Sequence, residues 1–211
     1  MALVVAGCGL GDAEPADDAE LTVYVSTPKS GPLAADGREI VAGASDALAE
    51  AGGEAGGVAV SAAYVETARD PAAVAANARR AVEDSASIAY IGELDSTATL
   101  SSLPITNEAL MPQLSPTAGD PELVAPFDGS DEAPPETQST GRRTFATLAG
   151  LDGEPRALGR ESMALVLDAI DRAEDPLDRA SVAVALLATA NRESPLGSYS
   201  LDELGVAEPT G

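Results

Sequence analysis

An alternation running from Leu21 to Leu114 restricts the fold more than any other feature of the chain. Short β-branched runs take turns with longer alanine-rich stretches of helical period. LTVYVS at Leu21–Ser26 alternates as a strand does. Leu33–Ala51 follows as a helix, with Ile40, Val41, Ala44, Leu48 and Ala51 along one stripe. Gly52, Gly53, Gly56 and Gly57 end it, and Val58–Val65 is a second strand. Asp70-Pro71 opens a second helix with a capping aspartate and a proline in the first turn. Ile88–Ile91 is a third strand. Thr97–Leu110 is a third helix, with Pro104 placed to bend or break it. Gln113 and Leu114 lie in a short fourth strand. Strands that alternate with helices imply a parallel sheet with right-handed crossovers, covered on both faces. The expected fold is α/β, a three-layer α-β-α lobe.

Ligands bind such sheets beyond the carboxyl ends of the strands. That rule puts Ser26–Ser30, Glu93–Ser96 and Ser115–Asp120 on one rim. Two of these loops lie within Ser87–Leu123, are rich in hydroxyls, and suit a small anionic group. An anion at the start of the third helix would meet N–H groups without helical partners and the positive end of the dipole. Glu93 and Asp95 oppose this, since both would repel an anion.

Composition excludes several classes of function. The net charge is −23, and Lys29 is the only lysine, so nucleic acid and anionic membrane surfaces are poor partners. The charge reads most simply as a solubility or salt-adaptation trait. Absence of histidine removes Ser-His-Asp and Cys-His catalysis and most zinc sites. One cysteine excludes an internal disulfide. Aromatics make up only 3% of the chain, so the core must be aliphatic. No apolar run approaches the roughly 18 residues of a membrane-spanning helix. Glu93 and Asp95 could do acid–base work, but nothing in the sequence sets them around a substrate. No enzyme, cofactor or metal is expected.

The N-terminal MALVVAGCGL allows three readings. Gly7, Gly9 and Gly11 are spaced like a dinucleotide loop, but the acidic, proline-containing DAEPADDAE that follows would repel a pyrophosphate. Val5-Ala6-Gly7-Cys8 resembles a lipobox, with Cys8 as the lipidated residue and Gly9–Glu20 as an acidic tether. A full signal also needs a basic n-region and a longer apolar stretch. The third reading is a frayed terminus with a buried-type cysteine.

Residues 124–140 are acidic and proline-rich and read as a linker. Asp128, Asp131 and Glu132 are conceivable calcium ligands. Their spacing is not that of an EF-hand, and a solvated acidic loop is the plainer reading. Arg142–Leu151 reads as a short helix. Gly159–Ala173 is a strong helix through Met163, Val166, Leu167 and Ile170, and Leu177–Ala190 is another. The end is turn-rich, with a short strand at Ser198–Leu201.

As an ordered set, several segments resemble a known family. LTVYVSTPKSGPLAADGREIVAGASDALAEAGG is similar to the opening of type I periplasmic binding proteins of the Leu/Ile/Val-binding kind, the solute-binding components of branched-chain amino-acid ABC transporters. RDPAAVAANARRAVED resembles that family's second helix. IGELDSTATLSSLPITNEALMPQLSPTAGDPEL resembles its head-group-binding segment. ALGRESMALVLDAIDRA and SPLGSYSLDELG resemble its C-terminal helix and closing turn. Family members have two lobes with the ligand between them, whereas this chain has room for essentially one.

The resemblance implies a truncated lipoprotein signal at 1–8, a tether at 9–20 and a first lobe at 21–126. A linker at 127–140 stands for most of the second lobe, helices at 141–190 complete the first, and 191–211 is a tail. It also implies that Ser96, Thr117, Ala118 and Gly119 hold a ligand α-carboxylate. Gly119 stands where a threonine is usual, which keeps the N–H and loses a hydroxyl. A lost hydrogen bond to a charged group costs about 1.5–3 kcal/mol. Without the resemblance, Ser96 is a helix cap and Thr117 an ordinary turn hydroxyl.

The implied function is an extracytoplasmic component, anchored through Cys8, that binds an amino acid or similar solute and delivers it to an ABC permease, with impaired affinity. If the short N-terminus is genuine, the protein stays in the cytoplasm. The alternative is a non-binding structural or interaction module derived from one lobe.

Overall fold

A computed structural model describes residues 19–67, 70–120, 123 and 144–210. Cys8, the acidic tether up to Asp18, Asp128, Asp131, Glu132 and the 127–140 linker lie outside the described residues, and Glu20, the expected end of the tether, is the first residue of the first strand.

The expected alternation is present. β1 (Glu20–Thr27), α1 (Ala34–Glu50), β3 (Val58–Glu66), α2 (Pro71–Glu83), β4 (Ser87–Ile91), α3 (Ser96–Glu108) and β5 (Gln113–Ser115) follow in order, with the two-residue β2 (Glu54–Ala55) between α1 and β3. β6 is Phe145–Thr147, and the sheet runs β2-β3-β1-β4-β5-β6. Only β2 is antiparallel to its neighbour.

Each strand sends alternate residues to opposite faces. Val23 and Val25 join the main core, whereas Tyr24 packs with Tyr90, Ala81 and Met111 on the other side. Two further helices cover the main core: α4 (Pro155–Arg172) packs against α1, and α5 (Arg179–Leu187) packs against α4. Met163, Val166 and Ile170 of α4 meet Ala44 and Ala47 of α1 there. The two helices approach closely because glycines face the contact. A Cβ on Gly43 would run into the Arg156 carbonyl, and one on Gly159 into the Ile40 carbonyl.

Three expectations are corrected. Residues 144–151 do not form a helix: β6 lies there, parallel to β5 with Gln113 opposite Phe145. Phe145, Ala146 and Leu148 are buried, and a run buried on both faces has no period by which to tell strand from helix. Pro104 does not end α3, which continues to Glu108. A hydroxyl supports the backbone there, since Thr106 Oγ1 donates to the Leu103 carbonyl at 3.1 Å. The C-terminal segment is more ordered than a tail. β7 (Arg192–Ser194), β8 (Gly197–Leu201) and β9 (Ala207–Pro209) form a second, antiparallel sheet.

No described helix is long and apolar enough to cross a membrane. Among the described residues no cluster of acidic or cysteine side chains could hold a metal ion.

Candidate functional site

The two hydroxyl-rich loops do converge. Ser115 Oγ, at the end of β5, donates to the Glu93 carbonyl at 2.6 Å. Thr117 Oγ1 donates to the Leu94 carbonyl at 2.7 Å. Ser96 Oγ accepts from the Asp120 N–H at 3.2 Å. Ser96 is therefore the first residue of α3 and ties the loops together. The cap is Asp95, whose carboxylate accepts from the Ala98 N–H at 2.9 Å.

Within the second loop the donors are engaged locally. The N–H groups of Thr117 and Ala118 both donate to Ser115 Oγ, at 3.3 and 2.8 Å. The Ala118 carbonyl accepts from Thr147 Oγ1 at 2.7 Å. Ala118 is buried, whereas Thr117 and Gly119 are exposed. Gly119 has a steric reason for lacking a side chain: a Cβ there would stand 2.5 Å from that of Ala149.

A cavity of about 440 Å³ opens at the same end of the sheet. Ser30 and Pro32 of the β1–α1 loop, Thr67 after β3, and Asp95, Thr97 and Ser101 at the start of α3 line it. Leu33 and Val74 add apolar surface. None of Ser96, Thr117, Ala118 or Gly119 lines this cavity, which lies on the other side of the α3 start.

Glu93 does not stand among the rim charges. It is fully buried, and its carboxylate lies beneath the rim. Tyr90 donates to it at 2.6 Å, Ser26 at 2.9 Å, and Thr67 donates as well. Burial raises the pKa of Glu93 and outweighs the lowering effect of these hydroxyls, with Asp95 adding to the rise. Burial also raises the Tyr90 phenol, with the neighbouring Glu93 charge acting in the same direction. Glu93 thus joins β1, the end of β3, β4 and, through its carbonyl, β5. The sequence does not disclose this cluster, because Ser26 and Thr67 lie 67 and 26 residues from Glu93 in the chain. A hint exists in the spacing of Tyr90 and Glu93, which lets a strand residue reach the loop that follows it.

A second network holds the rim from behind. The buried Gln113 side chain donates to the Gly92 carbonyl and to Ser102 Oγ, both at 2.9 Å, and accepts from Thr106 Oγ1 at 2.6 Å. These bonds fix α3 against β4 and β5.

The family model described as "Periplasmic binding protein" matches residues 20–130. No curated protein matches significantly. Among solved structures, a putative branched-chain amino acid ABC transporter protein from Rhodospirillum rubrum is 16% identical with a TM-score of 0.72, covering 90% of this chain and 95% of that one. A leucine-binding protein from Thermotoga maritima is 18% identical with a TM-score of 0.69, covering 89% and 93%. An ABC transporter substrate-binding protein from Desulfitobacterium hafniense, complexed with leucine, is 11% identical with a TM-score of 0.69, covering 89% and 94%. At these identities the structures show a shared fold. The family match spans more than half of the chain, from β1 through the convergent loops, and places this protein in the periplasmic binding protein family.

Proposed function

We propose that the chain is the extracytoplasmic solute-binding component of an amino-acid ABC transporter, taking a small solute by its carboxylate. One observation carries the reading: the β4–α3 and β5 loops meet at the start of α3, joined by the Ser96–Asp120 and Thr117–Leu94 hydrogen bonds. The N–H groups of a first helical turn have no carbonyl four residues back, and the dipole there favours an anion. Ser96 opens that turn, and the 117–120 loop is tied beside it by these two bonds. The partner is an ABC permease. Affinity is expected to be weak, because the described residues form one lobe and meet a solute from one side. Anchoring through a lipidated Cys8 belongs to the same reading, and mass spectrometry of the natural protein tests it: an unmodified Cys8 behind an intact Met1 rules it out.

A specific observation favours a second reading, a non-binding interaction module. The Thr117 and Ala118 N–H groups are already taken by Ser115 Oγ, so a carboxylate would have to displace that hydroxyl. Calorimetric titration of the full chain with leucine, valine and other amino acids separates the two. Saturable heat that disappears in Ser96→Ala supports solute binding. No heat at millimolar amino acid, with concentration-dependent self-association, supports the module.

A further inference from the structure

We propose a second ligand site on the other side of the β1–α1 loop, for a small carboxylate carrying a short apolar body. A pocket of about 350 Å³ lies between the end of β1, the first half of α1 and Tyr64 of β3. Thr27, Lys29, Arg38, Val41 and Tyr64 line it.

Charge is the first argument. The chain carries 35 acidic residues against 12 basic ones, yet no carboxylate lines this pocket and two cations do. Lys29 and Arg38 make no ion pair with a described carboxylate; Arg79, Arg80 and Arg179 make none either, while Arg156, Arg160, Arg172 and Arg192 do. The cavity over α3 differs in this respect, since Asp95 lines it. An anion is therefore favoured here and opposed there.

The second argument is an unused donor. Thr27 is only 2% exposed, and its hydroxyl makes no hydrogen bond with another described residue. No fully enclosed side-chain polar atom among the described residues lacks a partner, so the Thr27 hydroxyl is reached from the pocket it lines. A buried hydroxyl without a protein partner is costly unless a ligand or water satisfies it.

The third argument is shape. Tyr64 is one of three large hydrophobic side chains exposed among the described residues. With Val41 and Pro28 it gives the pocket an apolar part of its lining. α1 closes on the loop because residue 37 is glycine: a Cβ there would lie 2.5 Å from the Pro28 carbonyl oxygen. A carboxylate between Lys29 and Arg38, accepting from Thr27, would lay its apolar part on Tyr64.

Benzoate is a suitable probe and benzyl alcohol its neutral control, each titrated into the isotopically labelled full chain and followed by amide NMR shifts. Saturable shifts at Thr27, Arg38, Val41 and Tyr64 are expected with benzoate. Removing both charges in Lys29→Gln/Arg38→Gln should weaken binding about tenfold, at roughly threefold for each exposed ion pair. Thr27→Val should weaken it about tenfold through the lost bond to a charged group. The double variant changes only exposed side chains, so it tests the site even if Thr27→Val fails to fold. Equal shifts with benzyl alcohol, an undiminished response in the double variant, or no shifts at these amides would overturn the proposal. Shifts confined to Ser96, Thr117, Ala118 and Gly119 would also overturn it, while leaving the solute-binding reading intact.

Discussion

Glu93 and Glu161 are both almost fully buried, at 0% and 2% exposure, yet the protein treats them differently. Glu161, on α4, receives Arg192 Nε at 2.5 Å and the Tyr199 hydroxyl at 2.7 Å. Arg192 also reaches Asp168 at 3.3 Å. Glu161 is thus a charge matched by a charge, and it fastens β7 and β8 to the helical layer. No described cation pairs with Glu93. Three hydroxyls, from Tyr90, Ser26 and Thr67, are its partners. Burial raises its pKa, so its proton is retained above the usual carboxylate range. A matched pair makes a fixed clasp, whereas a hydroxyl cage makes a joint whose protonation depends on solution conditions. The clasp lies in the C-terminal region and the joint lies under the proposed solute rim.

The largest test of this contrast removes the cation from the clasp. Arg192→Ala leaves Glu161 buried with only a phenol, and breaking a buried pair costs about 3 kcal/mol or more. Chemical denaturation measures it, and a loss below that of Glu93→Ala would reverse the comparison. Glu93→Ala should cost about 2 kcal/mol by leaving buried hydroxyls short of a partner. Glu93→Gln, which preserves the shape and both donor and acceptor capacity, should stay within about 1 kcal/mol of the natural protein.

A smaller effect lies in pH. The folded Glu93 holds its proton more tightly than the unfolded chain does. Its contribution is complete below the unfolded carboxyl pKa and is lost as pH rises through the raised folded value. This pH dependence should be absent from the stability curve of Glu93→Gln and so appear in full in the difference between the two curves. Asp95 is the other charge acting on Glu93, so an unchanged slope in Glu93→Gln would assign the effect elsewhere. The smallest effect is at the surface. Ser96→Ala removes one bond to the Asp120 N–H and should cost about 0.5–1 kcal/mol in thermal stability. A larger loss would make Ser96 chiefly structural and weaken its assignment to solute binding.

Much of the sheet was legible because parallel strands and their crossover helices carry local signals. Asp70-Pro71 marked the start of α2, and its carboxylate does accept from the Ala72 N–H at 3.2 Å. The glycines after Ala51 marked the return turn. β6 was not legible, because FAT between a proline-rich stretch and a helix has neither length nor alternation. Its identity as a strand comes from β5, which offers an open edge beside it. At the rim, the convergence of the Ser96 and Thr117 loops followed from topology alone. The burial of Glu93 did not. Its sequence neighbours Asp95 and Ser96 face solvent, at least in part, and nothing local distinguishes it from them.

The sequence by itself determined the strand–helix alternation up to β5, the start of α2 and the end of the sheet at which ligands would gather. Those follow from periodicity, capping chemistry and the handedness of crossovers, all of which act over a few residues. Only the tertiary structure decided which carboxylate is buried and which cation pairs with it. It alone showed that Gly119 faces Ala149 and that the Thr27 hydroxyl bonds no other described residue. Such outcomes depend on groups brought together from distant parts of the chain. Their energies come from desolvation and contact, which no single segment contains.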